Sequence, residues 1–161
     1  MKRPLELLGV AAIALLDQAT KLLVVRELGL HETIEIVPGL LNLTHVRNSG
    51  VAFGFLNATS FAFKPALMAF LAFAALIGVA LYATQLSPHQ RWARTGLALI
   101  LGGAAGNLVD RARQGYVVDF VDAYWGTWHF WAFNVADAAI SVGVSMLILD
   151  LLRPAPRVSA G

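Results

Sequence analysis

Residues 95–111 read TGLALILGGAAGNLVDR, an apolar segment with small residues at its centre and polar residues at its end. Crossing the hydrocarbon core of a bilayer takes about 20 mostly apolar residues, and this segment approaches that length. Gly102 and Gly106 have the spacing that allows two helices to approach closely in lipid. The segment therefore predicts a membrane-spanning helix at the centre of a helical bundle.

Three more apolar segments, at residues 5–25, 61–86 and 131–152, predict three further spans. The composition agrees, because 58% of the residues are hydrophobic and 14% are charged, against roughly 45–50% and about 25% in soluble proteins. The predicted fold class is an all-α membrane protein, a four-helix bundle that forms a single domain over residues 1–152. Residues 153–161 are predicted to be a short disordered tail.

Two connections between the spans are long enough to form structure outside the membrane, residues 26–60 and 112–130. In the first, alternating runs at 33–37 and 41–44 flank the turn dipeptide Pro38-Gly39, which predicts a small β-hairpin. In the second, an extended run is followed by aromatic residues that suit an interfacial segment: Tyr124, Trp125, Trp128, Phe130 and Trp131. Both loops are predicted on one side of the membrane, because two spans separate them.

The distribution of positive charge predicts the orientation of the chain. Six of the twelve Lys and Arg residues lie in short flanks on the side of the termini, where the positive-inside bias is strongest: Lys2, Arg3, Arg91, Arg94, Arg153 and Arg157. We therefore expect both termini in the cytoplasm. The first span is expected to stay uncleaved, because Asp17-Gln18 stands where a cleavage site would lie. The net charge of +2 is spread along the chain, which disfavours a nucleic-acid partner.

Polar residues gather at the ends of the spans that face the two loops. They close the first and third spans and open the fourth: Asp17, Lys21, Asn107, Asp110, Arg111, Asn134 and Asp137. The opposite halves of the spans carry almost no ionisable residue. Because an ionisable group in a bilayer costs several kcal/mol and is usually paired or functional, the one-sided cluster predicts a site.

Several of these residues also have a purely structural explanation. Asp17 and Lys21 are four residues apart on one helix face, and we favour an ion pair that lowers the cost of insertion over a part in substrate binding. For Arg111 a snorkelling role at the interface is equally open, and for Asn107 a hydrogen bond between helices. Asp119 and Asp122, in the second loop, each have an explanation as solvated carboxylates. Asp137 needs a buried partner.

If Asp119 and Asp137 meet, they can hydrolyse a peptide bond without a metal or cofactor. Two carboxylates that share a site cannot both ionise readily, so one stays protonated while the other takes a proton from water. Other hydrolytic schemes lack their residues, since the chain has no cysteine, no His-Glu-x-x-His motif and no Gly-x-Ser-x-Gly motif. The segment at 50–54 lacks the lysine of a phosphate-binding loop.

Five segments of the chain resemble the lipoprotein signal peptidases, the four-helix aspartic membrane proteases of bacteria. They are DQATK at 17–21, NSGVAF at 48–53, GGAAGNLVDR at 102–111, VVDF at 117–120 and FNVAD at 133–137. The resemblance implies that Asp119 and Asp137 are the catalytic dyad. It implies that further residues orient the substrate or the dyad, namely Asn48, Gly103, Asn107, Arg111 and Asn134. Asp17, Lys21 and Asp110 are expected to be structural.

The resemblance also implies the substrate and the location. The substrate would be a prolipoprotein with a diacylglyceryl-modified cysteine, cut just before that cysteine. The enzyme would be a monomer surrounded by lipid in the bacterial inner membrane, with no cofactor and with its active site at the outer face. Two residues depart from the family pattern. Trp131 replaces a proline that favours a helix start, and Val51 replaces an alanine.

Two functions of other classes remain as alternatives. A small transporter or proton channel would use Asp17, Lys21 and Asp137 as a relay. The cytoplasmic halves of the spans lack polar residues that would continue such a path, which argues against it. A non-enzymatic membrane scaffold would pack through Gly102 and Gly106. The aspartic peptidase is the hypothesis that the residues favour.

Overall fold

Four α-helices occupy the four predicted apolar segments. The computed structural model of the chain describes residues 3–50 and 61–152, so Val51 and the predicted tail lie outside the described residues. The helices are α1 (Arg3–Glu27), α2 (Lys64–Gln85), α3 (Arg91–Gln114) and α4 (Val135–Leu151). Their ends differ from the predicted ones by one to four residues.

Two of these helices are long and apolar enough to cross a membrane, over Pro4–Glu27 and Lys64–Gln85. The glycines and terminal polar residues of α3 lower its hydropathy, and α4 has 17 residues. All four helices nevertheless leave large apolar side chains exposed, among them Leu15, Phe70, Val109 and Ile148. Such exposed apolar surface suits contact with lipid better than contact with water.

The glycines of α3 allow its neighbours to approach closely. A Cβ atom on Gly102 would lie 2.8 Å from the Cβ atom of Ile13 on α1. A Cβ atom on Gly103 would overlap the carbonyl oxygen of Ala136 on α4. Since α2 also packs against α3, the predicted central position of this helix in the bundle is confirmed.

The two longer loops form a single antiparallel sheet of four strands. Its strands are β1 (Thr33–Val37), β2 (Leu41–Asn48), β3 (Val117–Trp125) and β4 (Trp128–His129), in that order. The predicted hairpin of β1 and β2 is confirmed, with Gly39 at a φ of 76° in its turn. The extended run predicted in the second loop is confirmed as β3, which pairs with β2 and extends the hairpin, while the interfacial position of the aromatic residues that follow stays a prediction.

The sheet packs against the end of α1 through a small apolar core. Val24 and Leu28, at and just after the end of α1, are buried against Val118 and Phe120 of β3. Because side chains of a strand alternate between its two faces, this contact directs Asp119 to the opposite face. The sheet therefore holds Asp119 at the end of the bundle where the polar residues gather.

Helix α4 begins later than predicted. The side chain of Asn134 accepts a hydrogen bond from the backbone N–H of Asp137 at 2.9 Å, and the carboxylate of Asp137 accepts one from the backbone N–H of Asn134 at 3.3 Å. This reciprocal capping box starts the helix at Val135. Trp131 lies before the helix and is 61% exposed, so the missing proline does not affect the helix start.

Candidate active site

Asp119 and Asp137 lie at one site, where β3 meets the beginning of α4. Asn134 contacts both residues: its Nδ2 donates to Oδ1 of Asp119 at 2.7 Å, and its Oδ1 accepts from the backbone N–H of Asp137. Asp119 is 2% exposed and Asn134 is fully buried, whereas Asp137 is partly exposed. The structure therefore brings together the two carboxylates and one of the predicted orienting residues.

Amide groups hold both carboxylates in place. Asn48, at the end of β2, donates from Nδ2 to Oδ2 of Asp119 at 3.0 Å. Asn107, on α3, donates from Nδ2 to Oδ1 of Asp137 at 2.9 Å. Because an amide is neutral, these hydrogen bonds fix the positions of the carboxyl groups without neutralising their charge.

The environment of Asp119 favours its protonated form. Burial raises the pKa of Asp119 from 3.8 to about 7, and repulsion by the carboxylate of Asp137 acts in the same direction. Hydrogen bonds from Asn48 and Asn134 and the positive charge of Lys21 partly oppose this rise. Near neutral pH, Asp119 is thus able to exist as either acid or carboxylate.

A buried ionic cluster lies beneath the two carboxylates. The predicted ion pair between Asp17 and Lys21 is confirmed at 2.8 Å. Lys21 reaches beyond it to α3, with Oδ2 of Asp110 at 2.9 Å and Oδ1 of Asn107 at 2.8 Å. Oδ1 of Asp17 also accepts a hydrogen bond from the backbone N–H of Ala136 at 2.9 Å. The cluster therefore connects α1, α3 and the first turn of α4.

Three residues of this region were missed from the sequence. Gln18 donates from Nε2 to Oδ1 of Asp110 at 2.9 Å and to the carbonyl oxygen of Gly106 at 3.1 Å. Lys64 is buried at the start of α2 and donates to the hydroxyl of Ser49 at 3.0 Å. A lysine that opens an apolar span was a visible signal for Lys64. Gln18 and Ser49 lie in the segments DQATK and NSGVAF that carry the family resemblance, which was the available signal for them.

Arg111 and Gly103 occupy different places relative to the carboxylates. Arg111 donates from Nη2 to the carbonyl oxygen of Gly50 at 3.1 Å, so it joins the end of α3 to the chain just after β2. Gly103 packs against the backbone of Ala136. Its position explains the close contact of α3 with α4, and a role toward the substrate stays a prediction.

Asp122 belongs to a separate polar group on the sheet. Its carboxylate accepts hydrogen bonds from Nδ2 of Asn42 at 2.9 Å and contacts Nδ1 of His129 at 2.9 Å. Within residues 3–50 and 61–152, no group of three or more acidic or histidine side chains is arranged to hold a metal ion.

Comparisons with known proteins show what the chain is similar to. The family model of signal peptidase (SPase) II matches residues 9–153. The lipoprotein signal peptidase of Geobacter metallireducens is 46% identical over 151 residues, which cover 93% of this chain and 92% of the relative. That of Geobacter sulfurreducens is 44% identical over 142 residues, 88% of each chain. A bacterial membrane enzyme solved in meso at 2.3 Å superposes with a TM-score of 0.82 at 28% identity, over 92% of this chain and 88% of the other.

Proposed function

The chain belongs to the signal peptidase II family, and we propose that Asp119 and Asp137 are the catalytic dyad with which it removes signal peptides from prolipoproteins. Membership of the family makes it a peptidase of the aspartic type. The observation that carries the assignment of the dyad is the position of Asn134, which is hydrogen-bonded to both aspartates at once.

The proposed mechanism uses one proton shared between the two carboxyl groups. The ionised carboxylate takes a proton from water, and the resulting hydroxide attacks the carbonyl carbon of the scissile bond. The protonated carboxyl group donates its proton to the carbonyl oxygen. Collapse of the tetrahedral intermediate then breaks the C–N bond. The proton taken from water passes to the leaving nitrogen, and a hydroxyl proton of the intermediate returns to the carboxylate that had protonated the carbonyl oxygen, which restores the singly protonated pair. The raised pKa of Asp119 supports such a singly protonated pair at neutral pH.

We propose that the substrate carries a diacylglyceryl group on the cysteine that follows the cut. A polypeptide anchored by acyl chains and an apolar signal helix presents its scissile bond at the depth of the membrane interface. The proposed dyad would lie at a matching level, since Asp137 is in the first turn of α4 and Asp119 is in the sheet beyond the helix ends. The apolar side chains exposed on the helices support lateral arrival of such a substrate through lipid.

We further propose that all four helices span the bacterial inner membrane, as one domain and one monomer. The termini would be cytoplasmic, and the sheet and the dyad would face outward. The support is that the polar ends of α1, α3 and α4 gather beside the sheet, while Arg91 and Arg94 lie at the opposite end of α3.

The proposal is tested by replacing each aspartate separately with asparagine, which keeps the shape of the side chain. Asp119→Asn and Asp137→Asn should each lower kcat/KM on a fluorescent diacylglyceryl peptide by more than about 10³-fold, because neither can complete the proton transfers. Asp122→Asn is the matched control on the same strand and should stay within threefold of wild type. Near-normal cleavage by either dyad variant, with folding checked by gel filtration, would falsify the assignment.

A further inference from the structure

Lys21 lies at the centre of the buried cluster beneath the dyad and has three acceptors around its ammonium group. It is 3% exposed. Its Nζ atom lies 2.8 Å from Oδ2 of Asp17, 2.9 Å from Oδ2 of Asp110 and 2.8 Å from Oδ1 of Asn107. An ammonium group has three N–H donors and no acceptor. Each donor therefore has one acceptor, and whatever faces Nζ must present an oxygen.

This requirement fixes the orientation of the Asn107 amide. With Oδ1 facing Lys21, Nδ2 faces Oδ1 of Asp137 at 2.9 Å. Rotating the amide by 180° would place its NH₂ group against an ammonium and its oxygen against a carboxylate, which gives two repulsive contacts. Lys21 thus orients Asn107 so that Asp137 faces a hydrogen-bond donor and not an acceptor.

The orientation of the Asn107 amide also constrains the second amide of the site, that of Asn134. Nδ2 of Asn134 lies 3.3 Å from Oδ1 of Asn107 and donates to Oδ1 of Asp119 at 2.7 Å. Its Oδ1 is occupied by the backbone N–H of Asp137. Both asparagines therefore turn N–H groups toward the carboxyl groups, as hydrogen bonds to a charged carboxylate require.

We infer that Lys21 is a positioning residue of the dyad, which acts by holding the Asn107 amide with its N–H group directed at Asp137. The inference rests on the proposed function, because the orientation that Lys21 gives to Asn107 affects cleavage only if Asp137 is catalytic. It assigns Lys21 more than the structural ion pair that the sequence suggested.

The charge of Lys21 adds a second, measurable effect. Lys21 lowers the pKa of Asp119, against the larger effects of burial and Asp137. The charged groups around Lys21 and the dyad are Asp17 on α1, Asp110 and Arg111 on α3, Asp137 on α4 and Asp119 on β3. Removing the positive charge of Lys21 should therefore move the pH dependence that Asp119 imposes on kcat to higher pH.

The test compares Lys21→Gln with Lys21→Arg and with a matched control. Glutamine can accept as well as donate, so it permits either orientation of Asn107, whereas arginine only donates. The control is Arg94→Gln. Arg94 forms a partly buried ion pair with Glu6, which also joins α1 to α3 but at the other end of the bundle, with both N···O distances at 2.6 Å.

Lys21→Gln is expected to lower kcat at least tenfold, to leave KM within twofold and to shift the pH profile upward. The kcat of Lys21→Arg should be at least threefold higher than that of Lys21→Gln. Arg94→Gln should lower the Tm and leave kcat and the pH profile unchanged. A folded Lys21→Gln protein with wild-type kcat and pH profile overturns the inference, and so does a Lys21→Arg protein no better than Lys21→Gln.

If Lys21→Gln does not fold, Asn107→Asp decides the question. A carboxylate at this position still accepts from Lys21 but offers no donor to Asp137, so the protein should fold and lose kcat about 100-fold. Wild-type kcat in that variant overturns the inference. Failure of the proposed function would show separately, as cleavage by Asp119→Asn or Asp137→Asn, whereas failure of this inference leaves both of those variants inactive.

Discussion

Helices α1 and α3 are joined by charged side chains at both ends of the bundle, and the arrangement of those charges differs between the two ends. At one end, Glu6 and Arg94 form a bidentate pair in which each charge has its partner. At the other end, one ammonium group serves two carboxylates and an amide, and the hydrogen bonds continue to the dyad. The pair of Glu6 and Arg94, with a further hydrogen bond from Arg94 to the carbonyl oxygen of Leu86 at 3.3 Å, joins α1 to α3 and to the end of α2. An extended network also transmits orientation to groups with which it has no direct contact.

The strongest test of this difference is Asn134→Ala. It removes the hydrogen bond to Asp119 and the cap of α4, so kcat/KM should fall roughly 10²–10³-fold, the usual cost of a lost positioned donor in an active site. Loss of the cap should also cost about 1–2 kcal/mol of stability. The comparison is with Glu6→Gln, assayed on the same peptide. Equal losses of activity in both variants would mean that the two ends do not differ in function.

Two glycines of α3 allow a sharper comparison. A Cβ atom on Gly106 would lie 2.5 Å from Oδ2 of Asp17, and one on Gly96 would lie 2.7 Å from the carbonyl oxygen of Gly143. Both alanine variants should lose about 1–3 kcal/mol of stability through overpacking. Only Gly106→Ala should also lose about tenfold in kcat, because the displaced Asp17 disturbs Lys21. Gly78→Ala, which has open space around it, is the control for both measurements.

The smallest expected effect is on thermal stability. Asp119→Asn should raise the Tm, whereas Glu6→Gln should lower it. The folded-state pKa of Asp119, about 7, lies above its value of 3.8 elsewhere, so ionisation destabilises the folded protein as pH rises through that interval. Asparagine resembles the protonated acid. Asp119→Asn should therefore raise the Tm by a few degrees at pH 9 and less at pH 5. Glu6→Gln should lower the Tm at pH 9, and a lower Tm for both variants would contradict this account.

The parts of the fold that depend on local patterns could be predicted from the sequence. Apolar length gave the four helices, and Pro38-Gly39 gave the first hairpin. The pairing of β3 with β2 could not be predicted, since it joins segments about 70 residues apart, such as Asn48 and Val117. Neither the alternation of β3 nor its aromatic residues identify a partner strand. The predicted start of α4 was wrong because the apolar residues before Asn134 belong to the extended chain.

The features of the candidate site divide in the same way, into those that local sequence patterns predict and those that depend on tertiary packing. The alternation of spans placed the polar helix ends on one side, and this required no contact to be known. The part played by Gln18 depends on how closely α1 approaches Gly106, and the orientation of the Asn107 amide depends on Lys21. Both are consequences of tertiary packing, so they become visible only when the helices are assembled.

The hydrogen bond from Ala136 to Asp17 has a consequence for synthesis of the protein. Asp17 enters the membrane with the first helix, but two of its neighbours, Gly106 and Ala136, are translated about 90 and 120 residues later. Lys21, one turn away on the same helix, is a partner of Asp17 that is already present by then. On the proposed assignment, a nascent chain that still lacks α4 holds Asp119 without Asp137, so activity would arise only after α4 has packed against α3.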